Sequence, residues 1–170
     1  LGAGSCVIDV TKAGDTNYNS ATTSYSITVL KALQTALTAT PSRTTLKFGD
    51  LANNSATVDL SGGSGTGSVN WFVDPTTTGV CSVDSTTGVI TIVTAGTCSI
   101  TATKATDSSY LAATGSVSIT IAKANQGMVV ASPSRTTGVY GDAVSTSVSP
   151  SGGSGSGSYS YASTTASVCS

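Results

Sequence analysis

The sequence predicts an all-β fold, and three observations carry the prediction. Residues that favour strands, chiefly Val, Ile and Thr, recur at every second position in short runs along the chain. Turn signals such as Ser85–Gly88 and the pair Ala95 and Gly96 separate these runs. The chain also matches itself over a long stretch, which indicates that one folding unit is repeated.

The internal match has a long and regular period. Residues 3–28 align without a gap with residues 95–120, an offset of 92 residues. Small deletions enter only further along, where Cys169 aligns with Cys81. We therefore expect tandem repeats, each large enough to be a small domain.

The period divides the chain into three parts. We expect residues 1–30 to be the C-terminal part of one repeat, residues 31–122 a complete repeat, and residues 123–170 the N-terminal half of the next. Leu30–Leu33 joins the first two parts without a Pro or Gly spacer. Because so short a connection leaves little freedom between neighbours, we expect the repeats to form a rod-like array.

Within the complete repeat, the strand-like runs are short and evenly spaced. Two segments rich in Gly, Ser and Thr, Ser61–Ser68 and Asp74–Gly79, are predicted to be connections. About seven short strands in a domain of this length are typical of an immunoglobulin-type β-sandwich. The expected strands are Leu33–Thr40, Ala56–Leu60, Val69–Val73, Val80–Val83, Val89–Val93, Cys98–Thr103 and Val117–Ile121.

The inward faces follow from the alternation of side chains along each strand. Trp71 is the only tryptophan, and Tyr161 takes its place in the next repeat, so a large ring is kept at this position. The predicted core comprises Val69, Trp71 and Val73 on one strand, Val83 beside Cys81 on another, and Ile100 and Ala102 beside Cys98 on a third.

The four cysteines favour disulfides over a metal site. The sequence has no His and no C-x-x-C pair, so a zinc site lacks ligands. Cys81 and Cys98 both face the predicted core, and we expect a disulfide between them, which is typical of an oxidising environment. Cys6 and Cys169 occupy the repeat positions of Cys98 and Cys81, and we expect their partners to lie outside this sequence.

The composition excludes several classes of partner. Only 9% of the residues are charged and the formal net charge is −1, which provides no basic surface for nucleic acid or anionic lipid. No apolar run approaches the ~20 residues of a membrane-spanning helix. We therefore expect neither nucleic-acid binding nor membrane insertion.

The sequence offers few groups for catalysis. Histidine and glutamate are absent, and the 8 acidic residues are all Asp. General acid–base and nucleophilic mechanisms depend largely on His, Glu, an activated Ser or Cys, or a metal, so we expect no enzyme and no cofactor. The glycine-rich Ser61–Ser68 lacks the Gly-Lys-Ser/Thr ending of a phosphate-binding loop and is predicted to be a flexible connection.

Two repeated turns carry oxygen ligands of the kind that calcium accepts. Asp107 is followed by two serines, and Asp15, its counterpart one repeat earlier, stands close to two asparagines. One carboxylate per turn is a small ligand set, and Asp side chains also accept hydrogen bonds from their own turn. Asp107 and Asp15 are therefore weak calcium candidates, and shaping of the turn is the alternative.

Three sequence elements recur in a known family of modules. They are a valine-rich strand before a Thr-Thr-Gly turn, the A-G-T-C-x-I-x-A strand of Ala95–Ala102, and the D-x-x-Y-x-x-A pattern of Asp107–Ala113, which returns at Asp15–Ala21. Together they resemble the bacterial immunoglobulin-like, or Big-type, tandem repeats of large bacterial surface and adhesin-like proteins. The resemblance implies an extracellular location on the bacterial cell surface. One departure is that antibody domains join strands B and F, whereas Cys81 and Cys98 lie on the fourth and sixth runs.

Three functions are compatible with these features. The first is a structural spacer or stalk segment of a long extracellular bacterial surface protein or fibre, whose partners are neighbouring repeats. The second is an adhesin module that binds a host protein or glycan through loops such as Ser61–Ser68. The third is a filament subunit in which residues 1–30 of one copy complete residues 123–170 of another by strand complementation. Because the loops of adjacent repeats are alike, we favour the spacer.

Overall fold

A computed structural model describes residues 2–50, 55–141 and 145–169, and these form an all-β structure, which confirms the predicted fold class. The chain divides into two units, Leu1–Lys123 and Ala124–Ser170. The described part of the first unit contains β1 (Gly4–Lys12), β2 (Ala21–Val29), β3 (Leu37–Pro41), β4 (Thr45–Lys47), β5 (Ser55–Gly62), β6 (Val69–Val73), β7 (Cys81–Val83), β8 (Val89–Ile92), β9 (Gly96–Lys104) and β10 (Ala113–Ala122). One turn of 3-10 helix, Pro75–Thr77, lies between β6 and β7.

Strands β3 to β10 form a sandwich of two four-stranded sheets. The strand order is β3-β5-β8-β7 in one sheet and β4-β10-β9-β6 in the other. Neighbours pair antiparallel except β4 and β10, which are parallel. In immunoglobulin lettering the sheets are A-B-E-D and A′-G-F-C, the order of a constant-type domain with an added A′ strand. The predicted immunoglobulin-like sandwich is thus confirmed.

The strands differ from the predicted ones in two places. The sequence predicts no strand at β4, because three residues are too few to show an alternating pattern, yet Leu46 at its centre is buried between the sheets. The first predicted strand, Leu33–Thr40, begins only at Leu37, and the Thr35 amide before it donates to the Ser64 hydroxyl instead of to a neighbouring strand. The other six predicted strands overlap β5 to β10.

The core lies between the two sheets and is apolar. The buried side chains of the described residues are Leu46, Ala56, Val58, Trp71, Cys81, Ile90, Cys98, Ile100, Ala102, Ile119 and Ile121. Val69, Val73 and Val83 pack against this cluster but are only half-buried. These three valines lie on β6 and β7, the edge strands of their sheets, where one side of the strand has no neighbouring strand to cover it.

Strands β1 and β2 form an antiparallel hairpin with a sheet of its own. The pairing runs from Gly4 opposite Val29 to Lys12 opposite Ala21, which is the register of β9 and β10 one repeat later. Every residue of both strands is exposed. The hairpin therefore has the pairing of the F and G strands, with both of its faces exposed in the part of the chain that the structure describes.

The second unit contains a smaller sheet in its described part. β11 (Val129–Pro133) pairs antiparallel with β12 (Val148–Gly152), in the register of β3 and β5. Residues 159–163, the counterpart of β6, form no strand. In the sandwich of the first unit, β6 pairs with β9.

Candidate functional site: a cross-sheet disulfide and an aspartate turn

The structure joins Cys81 and Cys98 by a disulfide between the two facing sheets. Cys81 is the first residue of β7 in one sheet, and Cys98 lies on β9 in the other. Their Cα atoms are 5.8 Å apart, and both side chains are buried in the core. The crosslink therefore connects strands D and F, whereas an antibody domain connects B and F.

The disulfide secures the most weakly held strand of its sheet. β7 has three residues and pairs only with β8, since it forms the edge of the sheet. β9, at the other end of the crosslink, lies between β10 and β6 in the second sheet. In the chain-entropy model, closing a loop of this length stabilises the fold by about 3 kcal/mol. That is a large part of the ~5–15 kcal/mol by which domains are stable.

The turn between β7 and β8 is shaped by an aspartate and a glycine. Asp84 Oδ1 accepts hydrogen bonds from the amides of Thr86 (3.0 Å) and Thr87 (2.7 Å), and from the Thr87 hydroxyl. These bonds, led by that of the Thr87 amide, lower the pKa of Asp84. Gly88 has φ +69°, and a Cβ there would lie 2.7 Å from a backbone oxygen of β5 and 3.1 Å from the indole nitrogen of Trp71. Only glycine fits this position without displacement.

Asp107 holds together two connections that are far apart in sequence. Its Oδ1 accepts hydrogen bonds from the amides of Ser109 and Tyr110, both at 2.8 Å, which closes the turn between β9 and β10. Its Oδ2 accepts from the amide of Thr66 at 2.6 Å and from the Thr66 hydroxyl at 3.4 Å. Gly65 lies so close to this carboxylate that a Cβ would collide with it. The glycine-rich loop, predicted to be flexible, is thus tied to the turn.

The electrostatics of Asp107 follow from these donors. Hydrogen bonds from the amides of Ser109, Thr66 and Tyr110, in that order of effect, lower its pKa from 3.8 to about 2. An N–H group favours the charged carboxylate over the neutral acid, so the side chain is an anion throughout the neutral range. We name Asp107 with residues 66 and 109–110 the aspartate latch.

Asp107 and Asp15, the two calcium candidates, both accept hydrogen bonds in the structure. Both Asp107 oxygens already accept bonds, and a cation would compete with those donors for the same lone pairs. Asp15 Oδ1 accepts from the amides of Asn17 (2.8 Å) and Tyr18 (3.0 Å). Among the residues that the structure describes, no three His, Cys, Asp or Glu side chains lie together as a metal site. Calcium binding stays a prediction.

The segment that leads into the sandwich is bonded to the same turn. The Ala32 amide donates to the Ser109 carbonyl (2.8 Å), and the Leu111 amide donates to the Ala32 carbonyl (2.9 Å). The Gln34 side-chain nitrogen donates to the Leu111 carbonyl at 2.8 Å, and the Lys31 amine donates to the Thr106 hydroxyl at 3.0 Å. These bonds fix the chain immediately after the end of β2.

The two remaining cysteines are free and exposed. Cys6 lies on β1 opposite Ile27. The Cys169 sulfur lies 3.2 Å from the Ser163 hydroxyl and 3.8 Å from the Thr165 hydroxyl. These contacts, the Ser163 contact above all, lower the pKa of the Cys169 thiol, which favours the reactive thiolate.

An open groove lies along the sandwich edge beside the disulfide. It has a volume of about 340 Å³ and is lined by Trp71, Phe72, Val73, Thr78, Cys81, Ser82 and Val83. The groove runs between β6 and β7, the edge strands of the two sheets. Cys81 is one of its lining residues, although its side chain is only 1% exposed.

Sequence reasoning overlooked two residues that build the site, and it identified Gly88 only as part of a turn signal. Thr66 completes the latch, but nothing in its Gly- and Ser-rich surroundings distinguishes it. Gln34 bonds to the turn, and its return as Gln126 at the repeat offset was a usable signal. Gly88 fits a place where a side chain would collide, which only the packing of the turn reveals.

Fold and site together define a disulfide-linked β-sandwich domain with immunoglobulin-like strand order. No protein-family model matches the sequence, and no curated protein matches it. Among solved structures, 14 chains match. One is the Protocadherin GammaB4 extracellular domain, with a TM-score of 0.36 and 16% sequence identity over 74% of this chain and 23% of that one. Within the described ranges, no helix is long and apolar enough to cross a membrane.

Proposed function

We propose that the chain is a structural spacer segment of a long extracellular protein built from tandem immunoglobulin-like repeats, in the manner of the bacterial surface stalks it resembles. Residues 1–30, 31–122 and 123–170 are then parts of three successive repeats. The partners of each repeat are its neighbours in the same chain or fibre.

One observation carries the proposal: the segment that follows the hairpin is hydrogen-bonded to the sandwich. β2 ends at Val29, and two residues later Lys31 donates to Thr106 of the following sandwich. Ala32 then exchanges two backbone hydrogen bonds with the turn between β9 and β10. A connection with one unbonded residue between two folded elements transmits orientation, which is what a spacer requires.

The disulfide supports an extracellular location. A buried crosslink between sheets forms and persists where thiols are not kept reduced. Few charges and an outer surface rich in Ser and Thr fit a module whose role is mechanical. We propose no catalytic role, because the carboxylates of Asp74, Asp84 and Asp107 are engaged as acceptors within their own turns.

The adhesin alternative stays a prediction. It relies on loops that are free to adapt to a ligand, and the aspartate latch that holds Thr66 supports a scaffold role for Ser61–Ser68 instead. A glycan array and a pull-down from host-cell extracts, each with the intact chain, test it. Specific binding that is lost when this loop is changed would favour the adhesin over the spacer.

The spacer proposal is tested by measuring how firmly the hairpin is held against the sandwich. Spin labels are placed at Thr23 on β2 and Ser116 on β10, both exposed, in a chain whose free cysteines are replaced by serine. Double electron–electron resonance then gives the distribution of the distance between the labels. We expect a narrow distribution.

A matched pair of insertions completes this experiment. Gly-Ser-Gly-Ser inserted between Leu30 and Lys31 is expected to broaden the distribution, because it separates the hairpin from the bonded lead-in segment. The same four residues inserted after Thr137, an exposed site in the second unit, should leave it narrow. A parent chain whose distribution is already as broad as that of the first insertion would contradict the proposal.

A further inference from the structure

The chain enters and leaves the sandwich at opposite ends of β10. The segment that leads into the sandwich reaches β3 at Leu37, and a Cβ at Gly115, near the start of β10, would lie 3.1 Å from the Leu37 Cβ. β10 ends at Ala122, and the second unit follows from Ala124. Tension applied to the chain on both sides of the sandwich is therefore directed along β10, from its first residues towards its last.

β4 is the short strand that joins the entering chain to β10. Its three residues pair in parallel with the last three of β10. The Thr120 amide donates to the Thr44 carbonyl at 3.3 Å, and the Phe48 amide donates to the Ala122 carbonyl at 2.9 Å. Hydrogen bonds of a parallel pair are evenly spaced along both strands, so these two bonds lie at the ends of one ladder.

Parallel pairing converts tension along the chain into a sliding force between β4 and β10. Tension draws the first residue of β4, Thr45, backwards along its strand, and it draws the last residue of β10, Ala122, forwards. Because the two strands point the same way, they are pulled past each other along their common axis. All bonds of the ladder then resist together, whereas strands that are pulled apart sideways lose their bonds one after another.

Buried side chains oppose the same sliding. Leu46, at the centre of β4, and Ile121, its partner in β10, are each 2% exposed. Movement of β4 along β10 would draw Leu46 out of its place between the sheets and expose a large apolar side chain to water. β10 itself is paired with β9 from Ala113 to Ile121, so β4 is the element that must move.

β3 precedes β4 in the chain and comes under tension first. It pairs with β5 in the other sheet, and its side chains are only half-buried or exposed. Among the described residues, Leu46 is the first in chain order whose side chain is buried in the core. Detachment of β3 therefore leaves the core closed, and detachment of β4 opens it.

We propose that β4 and β10 form a shear clamp, which sets the force at which the sandwich unfolds when it is pulled along the chain. The use of the clamp rests on the proposed spacer function, since a domain linked to neighbours on both sides is pulled in this direction. The clamp goes beyond that function because it identifies the contact that keeps the length of the spacer constant under tension.

Pulling the same fold in two directions tests the clamp. The full chain carries serine in place of Cys6 and Cys169, and introduced cysteines attach the handles of an optical trap. One form has its handles at Leu30→Cys and Lys123→Cys, which pulls along the chain. The other has them at Phe48→Cys and Lys123→Cys, at the same end of β4 and β10, which peels these strands apart. All three handle positions are exposed.

We expect unfolding of the sandwich to require about twofold or more force along the chain than across the strands, because the ladder resists as a whole in one direction and bond by bond in the other. Reduction of the disulfide identifies the event as unfolding of the sandwich, since it adds the 17 Cα–Cα steps between Cys81 and Cys98 to the extension. Equal forces in the two directions overturn the proposal.

A matched pair of core variants assigns the resistance to β4. Leu46→Ala and Ile90→Ala each remove a buried side chain and should lower stability to a similar extent in urea unfolding, but Ile90 lies on β8, outside the clamp. Leu46→Ala is expected to lower the force along the chain towards the force across the strands, and Ile90→Ala to lower it much less. An equal loss of force would show that resistance follows overall stability, which refutes the clamp. The comparison of directions needs no change in the core, so it decides the matter even where one of these variants fails to fold.

The clamp and the spacer fail separately. A narrow distribution of label distances together with equal forces keeps the spacer and removes the clamp. A broad distribution together with unequal forces keeps the clamp as a property of the sandwich and removes the spacer.

Discussion

Replacement of both Cys81 and Cys98 by alanine is expected to destabilise the sandwich by about 3 kcal/mol, the loop-closure contribution of a crosslink between residues 17 apart. The loss falls on β7, which without the crosslink is held to the sandwich chiefly by its pairing with β8. In a domain of this size, ~1 kcal/mol corresponds to roughly 4–8 °C in Tm. We therefore expect Tm to fall by about 12–24 °C.

The single tryptophan makes this measurement specific to the sandwich. Trp71 is buried in the core, so its fluorescence follows unfolding of β3 to β10 and not that of the hairpin or of the second unit. Thermal and urea unfolding are recorded for the parent chain and for the double alanine variant. The control is a chain in which Cys6 and Cys169 are replaced by serine, since both are exposed and free.

The same disulfide limits extension under force. Pulling a single molecule from its ends stretches the oxidised chain only outside the loop between the two cysteines. Opening the crosslink adds the 17 Cα–Cα steps between the two cysteines to the extensible chain, or about 60 Å at ~3.6 Å per step. A parent chain and an alanine variant with equal Tm, and with equal contour-length increments, would refute a structural role for the crosslink.

Three further predictions concern the latch, a turn and a strand. Folding lowers the pKa of Asp107 from 3.8 to about 2. The stability that this carboxylate contributes is therefore complete above the pKa of the unfolded chain and is lost as the pH falls from about 4 towards 2. In that window, acid unfolding of Asp107→Asn should depend less on pH than that of the parent chain. Gly88→Ala should destabilise the sandwich by about 1–3 kcal/mol in urea unfolding, because φ is +69° and a Cβ meets backbone, whereas Gly138→Ala, with open space around it, should change little. Leu46→Ala removes a buried side chain and should cost about 2–5 kcal/mol by the same assay, whereas the exposed Leu33→Ala should leave the urea midpoint unchanged.

Much of the fold was predictable because it depends on local patterns in the sequence. Alternating Val, Ile and Thr located seven of the eight strands of the sandwich, and their spacing led to the immunoglobulin-like sandwich. β4 escaped prediction because its place depends on parallel pairing with β10, about 75 residues further along the chain. A strand of three residues has no periodicity of its own from which to be recognised.

The candidate site was predictable only in part. Repeat alignment and side-chain parity led to the pairing of Cys81 with Cys98, the two cysteines that the structure places together. The partner of Asp107 was not accessible in this way, because the Thr66 amide belongs to a connection 41 residues away. Backbone amides are common to all residues except proline, so their positions in space, and not the identity of the residue, select the acceptor.

By itself, the sequence determined the class of fold, the repeat and the inward-facing residues, because side-chain alternation and recurrence are properties of the chain in one dimension. Only the tertiary structure determined which groups the loops contact. It brought a glycine-rich loop against an aspartate and tied the segment at Ala32 to the turn after β9. These outcomes depend on distances between segments far apart in sequence, which are fixed only when the sheets pack against each other.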